Sequence, residues 1–144
     1  MESNSLVTVD RTSGALTMVG PFGVTGMRDL AYNASTDTLY GVDGTNLFAI
    51  SRATGHASFL GNLGPMFGVS NPVSALAFDP GSHQLFAGDC CSLYIVNTIT
   101  GATDRIGGTG LTLLGAIEFG PQNLLADGFE GGSLARWSAV QGAL

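Results

Sequence analysis

The chain has 144 residues, enough for one ordinary domain, and 44% of them are hydrophobic, which supplies a core and argues against disorder. A net charge of −6 leaves five Lys plus Arg, scattered at Arg11, Arg28, Arg52, Arg105 and Arg136, so no basic cluster exists to track phosphates. Nucleic acid and anionic membrane surfaces are therefore not the expected partners. No apolar run approaches the roughly 18 residues that span a bilayer, so membrane insertion is not expected either. Charged residues make up only 11% while glycine fills 22 positions, a combination that fits tight turns between strands buried on both faces.

Taken in order, the chain aligns with itself. Leu6-Val7-Thr8-Val9-Asp10 matches Leu47-Phe48-Ala49-Ile50-Ser51 and Leu93-Tyr94-Ile95-Val96-Asn97, each followed four residues later by Gly14, Gly55 or Gly101. Gly55 lies 41 residues after Gly14 and Gly101 lies 46 after Gly55. The extra length falls in Gly64 to Pro72, where a surface loop between strands absorbs it. Met27 to Tyr32, Val73 to Phe78 and Leu114 to Phe119 form a second aligned set, and Thr38 to Asp43 with Gln84 to Asp89 a third.

Each copy predicts four short strands. In the second copy an apolar run, Leu47 to Ser51, leads through Arg52-Ala53-Thr54-Gly55 into Ala57 to Leu60, with Gly61 closing it. Asp10, Ser51 and Asn97 supply a side-chain oxygen that caps the hairpin turn, and the glycine four residues on takes positive φ without a Cβ clash. A Gly-x-x-Gly pair follows each hairpin, at Gly20 and Gly23, Gly61 and Gly64, and Gly107 and Gly110. Its recurrence marks a connecting turn rather than a phosphate-cradling loop. In the next strand Leu76 and Phe78 alternate with Ala75 and Ala77; the counterparts set Leu30 and Tyr32 against Asp29 and Ala31, and Ile117 and Phe119 against Ala116 and Glu118. Large residues on one face and small ones on the other predict strands covered on both sides by other sheets, and the alternation excludes helix.

About four strands in each copy, all-β, with aromatics and glycines at fixed offsets, is the pattern of a β-propeller blade. Here the sequence resembles the Asp-x-x-Thr-Gly propeller repeats of bacterial secreted proteins: LAFDP stands at Leu76 to Pro80, with the LYG-D, LY-I and Thr-Gly elements around it. The resemblance spans Leu6 to about Ala126 and implies that the Leu76 strand is innermost. The chain then opens with an outer half blade, runs through two whole blades and ends with an inner half at Leu114 to Ala126, about three four-stranded blades in all. Residues 1–126 are expected to form the propeller repeat domain, and 127–144 a C-terminal tail or the start of a following domain. That last stretch resembles the DGFESGD-W segment of many secreted bacterial chains through Asp127-Gly128-Phe129-Glu130 and Trp137-Ser138, departing from it at Gly132 and Ser133. Three blades are too few to close a ring. Two copies exchanging halves would make a six-bladed homodimer, and a longer parent protein would serve equally well. Met1 to Asp10 carries no basic or apolar leader, so either the protein is cytosolic or its signal lies outside this chain; the opening in mid-repeat favours the second, and an extracellular or periplasmic location is expected.

Few residues carry candidate chemistry. Cys90 and Cys91 stand where the first repeat has Gly44-Thr45; they are either a vicinal disulfide at a hairpin tip, given an oxidising compartment, or two separate thiols. Some quinone-dependent dehydrogenase propellers carry such a pair, but nothing else here matches them. A metal site is not expected, because His56 and His83 lack ligand spacing, and no cofactor is expected. Asp29 and Glu118 replace small residues on the presumed innermost strand and Arg28 adjoins Asp29, so the three are candidate binding residues of a central channel; otherwise the carboxylates are solvated strand ends or pair with Arg28. Asn33-Ala34-Ser35 has the glycosylation pattern and reads as an exposed turn. Asp10, Asp43, Asp79 and Asp89 recur at turn positions, where capping is the commoner role. No nucleophile, Walker or paired-histidine signature is present.

These observations favour a non-catalytic repeat module acting as an interaction or scaffold surface, its partner a protein or a small polar ligand. The rival is part of a propeller enzyme, a hydrolase, lyase or quinoprotein-like protein, whose site is completed by other blades. A carbohydrate-associated domain rests only on Trp137 and its surroundings.

Overall fold

A computed structural model of the chain describes residues 4–65, 67, 72–110 and 116–119. Among these residues there is no helix, and the strands are β1 (Ser5–Val9), β2 (Leu16–Pro21), β3 (Asp29–Asn33), β4 (Thr38–Val42), β5 (Asn46–Ile50), β6 (Ala57–Asn62), β7 (Ala75–Asp79), β8 (Gln84–Gly88), β9 (Ser92–Val96) and β10 (Thr103–Gly108). They form three antiparallel sheets: β1-β2, β3-β4-β5-β6 and β7-β8-β9-β10, each strand pairing with the next in sequence. The described sheets do not close into a ring. The strands expected at Leu114 to Ala126 lie outside the described residues except for 116–119, which form no strand, and all of 127–144 lies outside them.

Short-range turn chemistry explains why neighbouring strands pair. At the tip of β1-β2 the Asp10 carboxylate accepts hydrogen bonds from the Thr12 and Ser13 amides at 2.9 and 2.7 Å, while the Gly14 amide donates to the Asp10 carbonyl. Asn97 does the same for Ile99, Thr100 and Gly101 at the tip of β9-β10. Ser51 caps Thr54 and receives the Gly55 amide between β5 and β6. Gly14, Gly55 and Gly101 hold φ of 72°, 80° and 76°, the left-handed region that costs a side-chain-bearing residue strain.

The three hairpins share one register. Val9 faces Leu16, Ile50 faces Ala57 and Val96 faces Thr103; each ladder then slips by one residue so that Leu6 faces Gly20, Leu47 faces Gly61 and Leu93 faces Gly107. The slip is a β-bulge that bends the outer strand just before its glycine.

That glycine is where one sheet meets the next. A Cβ on Gly20 would overlap the Thr54 carbonyl oxygen beside Gly55, and one on Gly61 would overlap the Thr100 carbonyl oxygen beside Gly101. The hairpin turn of each four-stranded sheet thus seats directly on the glycine of the outer strand before it. The Ala57 amide donates to the Phe22 carbonyl at 2.8 Å across one of these junctions, and Thr103 Oγ1 to the Leu63 carbonyl at 2.7 Å across the other.

Alternating side chains fill the space between sheets. Val42 and Leu47 join Leu76, Leu85, Tyr94 and Val96 in one cluster, sealed by Leu63, Phe67 and Val73 from the connection. From the opposite face of the same sheet, Phe48 and Ile50 pack with Phe22 and Ala57 against Leu6, Val24 and Leu30. The middle sheet is covered on both faces, as its near-continuous apolar strands require.

The glycines rank differently in consequence. Gly61→Ala should lower unfolding free energy by about 3 kcal/mol, because its Cβ strikes main chain that cannot rotate away. Gly107→Ala, with nothing described within 4 Å and no positive φ, should stay within about 0.5 kcal/mol for the single chain, measured at concentrations too low for copies to associate. Urea denaturation of the two variants checks the order.

Candidate functional site

β3 and β7, edge strands of different sheets, lie against each other, and the candidate residues Arg28 and Asp29 sit at the start of β3 beside this junction. Asp29 Oδ1 accepts the Leu30 amide at 2.8 Å and Oδ2 accepts the Leu76 amide at 2.7 Å. One carboxylate therefore bridges two edge strands from different sheets, satisfying amides that no strand pairs. Arg28 does not lean on Asp29; its Nε donates to the Asp43 carbonyl at 3.3 Å. Arg28 and Asp29, with Met27 and Phe22, line a cavity of about 310 Å³. Its polar wall offers a guanidinium and a carboxylate whose two oxygens are engaged, a surface better suited to a small polar ligand than to a metal ion.

Glu118 is not part of that cavity. It is exposed and lines a second one, of about 240 Å³, with His83, Tyr32, Asn33 and Phe78 between the β3-β4 and β7-β8 turns. Asp37 and His83 hold φ of 51° and 57° in those turns, the described non-glycine residues with positive φ. Tyr32 and His83 were not singled out as site residues; the signal for Tyr32 is a hydroxyl where the aligned positions carry Phe78 and Phe119. Tyr32 donates its phenol proton to Asp37 Oδ1 at 2.6 Å, and Arg52 pairs with Asp37 while stacking on the Tyr32 ring at 4.9 Å. The group is exposed, so it orders the surface more than it stabilises it.

The Asn33-Ala34-Ser35 turn is exposed as expected at Ala34 and Ser35, while Asn33 itself is buried. The Asn33 side chain is only 6% exposed, and its Oδ1 accepts from the Ser35 amide at 3.0 Å and hydroxyl at 2.7 Å. It is a turn cap facing inward, not an accessible attachment point.

At the tips of β4-β5 and β8-β9 an aspartate organises the loop. Asp43 Oδ1 accepts the Thr45 and Asn46 amides at 2.9 and 2.8 Å, and Oδ2 accepts Asn46 Nδ2 at 2.9 Å. Asp89 Oδ1 accepts the Cys91 and Ser92 amides at 2.8 and 2.7 Å, and Oδ2 accepts the buried Tyr94 hydroxyl at 2.9 Å. Cys90 and Cys91 occupy this second tip, where their sulfurs are joined in a disulfide and the Cα atoms are 3.8 Å apart. Gly44, at the equivalent tip, holds φ of 108° and sits against Arg28 and Pro72. The Asp89, Cys90 and Cys91 ligand atoms lie within 4.8 Å of one another. Bridged sulfurs are not thiolate donors, however, and the Asp89 oxygens already accept backbone and phenol protons, so the donor set does not suit a metal in this state.

The same bonds set the titration behaviour. Burial pushes the Asp43 carboxyl up, but the Asn46 side-chain amide and the Thr45 and Asn46 main-chain amides outweigh it and hold the group below its ordinary value. The Ser82 hydroxyl, then the Gly81 amide, lowers Asp79 in the β7-β8 turn. Burial, and then donation to Asp89, raises the Tyr94 phenol.

No protein-family model matches the sequence, and neither does any curated protein. Two similar solved structures come from B. thetaiotaomicron. One is an extracellular domain assigned to a hybrid two-component system, with TM-score 0.53 and 19% identity over 83% of this chain and 17% of that one. The other is an extracellular domain assigned to a one-component system, with TM-score 0.52, 19% identity and the same coverages of 83% and 17%. At this identity the likeness is one of fold, and the chain spans about a sixth of the length of either neighbour.

Two outcomes test the site. Thiol titration of protein made under oxidising conditions, unfolded without reductant, should find no free thiol, and two per chain would refute the bridge. Asp43 and Asp79 have depressed folded pKa values, so their stabilisation is complete above the unfolded value of about 4 and is lost as pH falls through the folded values. Tyr94 has a raised folded value, so its share is complete below about pH 10 and is lost as pH rises through the folded value. Denaturation across pH should show both limbs, with the acid limb shallower in Asp43→Asn.

Proposed function

We propose that this chain is a non-catalytic β-propeller repeat module of an extracytoplasmic bacterial protein, serving as an interaction or scaffold surface. In this reading the two four-stranded sheets are whole blades with β3 and β7 innermost, and β1-β2 is the outer half of a third. The observation that carries it is the employment of the carboxylates: Asp10, Asp29, Asp43, Asp79 and Asp89 all accept main-chain amide protons within the scaffold. Groups so engaged hold backbone and are poorly placed to move substrate protons. The Cys90–Cys91 bridge favours an oxidising compartment, and the extracellular origin of the similar structures points the same way.

A second reading, part of a propeller enzyme completed by other blades, is favoured by the proximity of Glu118, His83 and Tyr32 at one cavity. An activity screen against ester, glycoside and uronate substrates and quinone-linked dyes separates the two. The scaffold reading expects no turnover; turnover lost on Glu118→Gln or His83→Ala would replace it with the enzyme reading.

A further inference from the structure

The contact that joins the sheets is made twice among the described residues, while one half of it stands without a described counterpart at the β1-β2 turn and the other at β10. At one end, Val9 is 59% exposed and Leu16 51%, whereas their register equivalents Ile50 and Ala57 are 5% and 6% exposed beneath the preceding sheet. The Gly14 turn, equivalent to the Gly55 and Gly101 turns that press on Gly20 and Gly61, touches nothing described within 4 Å of its Cβ position. At the other end Gly107, equivalent to Gly20 and Gly61, likewise has nothing described within 4 Å, and Ile106 beside it is exposed where Val19 and Leu60 are half-buried.

We infer that the two ends are complementary docking faces: the Asp10–Gly14 turn of one copy of this chain seats on Gly107 of a second copy, as the Thr54-Gly55 turn seats on Gly20. The occupant is a second copy because the fit already exists in the molecule. The Gly14 turn has the capping pattern, positive φ and register of the two turns that dock internally, and the β10 edge has the bulge and glycine of the two edges that receive them. The Ser13 carbonyl takes the place held by those of Thr54 and Thr100, leaving no room for a side chain at position 107. Val9 and Leu16 then lose the exposure that sets them apart from Ile50 and Ala57, the change that drives association. This rests on the propeller reading, since only stacked sheets of one kind present interchangeable faces.

Light scattering across a concentration series reads the result. The wild-type chain should show twice its own mass, and Gly107→Val should show the single-chain mass with an unchanged circular dichroism spectrum, because no described atom of the same chain lies within 4 Å of that position. Val9→Asp, on the opposite face, should also run as a single chain. An equimolar mixture of the two variants, each keeping one intact face, should regain double mass, which misfolded chains would not do. A wild-type chain that stays at single mass, or a Gly107→Val chain that associates as the wild type does, overturns the inference. Gly61→Val keeps the two failures apart: if it unfolds the chain while the wild type is single, only docking fails, whereas wild-type stability in Gly61→Val would remove the stacking on which the propeller reading stands.

Discussion

The close approach of main chain to main chain at Gly20 and Gly61 is the constraint from which the rest of the structure follows. A hairpin turn can rest there only if the outer strand has no side chain at that point, and only if the turn is tight and correctly aimed. The bulge before each glycine supplies the aim, and the capped loop with its left-handed glycine supplies the tightness. With that distance set, the residues between sheets must fill a gap of fixed width. Large side chains therefore stand opposite small ones across the ladders, Tyr40 facing Ala31, Phe86 facing Ala77 and Tyr94 facing Ala87.

The polar residues serve the same end. In a scaffold of short strands, many amides fall at turns and edges where no ladder reaches them, and an unpaired buried amide is costly. Aspartate and asparagine side chains meet that need at every described tip except that of β5-β6, where the Ser51 hydroxyl does so. Asp29 extends the device from a turn to a junction, lending one oxygen to its own strand and the other to Leu76. With so much of the charge drawn inward to main chain, the few cations are left to single tasks: Arg52 on Asp37 and Tyr32, Arg28 on the Asp43 carbonyl, and Arg105 on the Ser92 hydroxyl.

Strands and turns were legible in the sequence because their causes are local: a cap, a glycine four residues on, and alternation over five residues. The all-β class and the antiparallel pairing follow from those alone. The site was less legible. Asp29 reads as a channel residue because its partner is an amide 47 residues away, and amides leave no mark in a sequence. Asn33 reads as exposed because its neighbours are, although its own side chain turns back under the loop. Gly20 and Gly61 read as connectors because their importance lies in what a missing Cβ would have met. Arg28, Asp29 and Glu118 lie in aligned stretches but not in one cavity, since Asp29 aligns with Ala116 and Glu118 with Ala31, two positions further on.

The edge glycine and the turn glycine have a consequence for how such a chain can change in length. Both halves of the fit lie within each stretch of 41 to 46 residues, so any duplicated stretch arrives already matched to whatever stands before or after it. Lengthening by tandem copying needs no new surface to be invented, and deletion of one stretch leaves flanking sheets that still fit each other. Substitution is harder than duplication here. A side chain gained at the edge demands a wider turn on the neighbour, and a change to the turn alone gains nothing until the edge has changed with it. The unit is free to multiply and slow to diverge at those two points, while the exposed turn residues Arg11 and Ile99, untouched by the fit, are left open to variation.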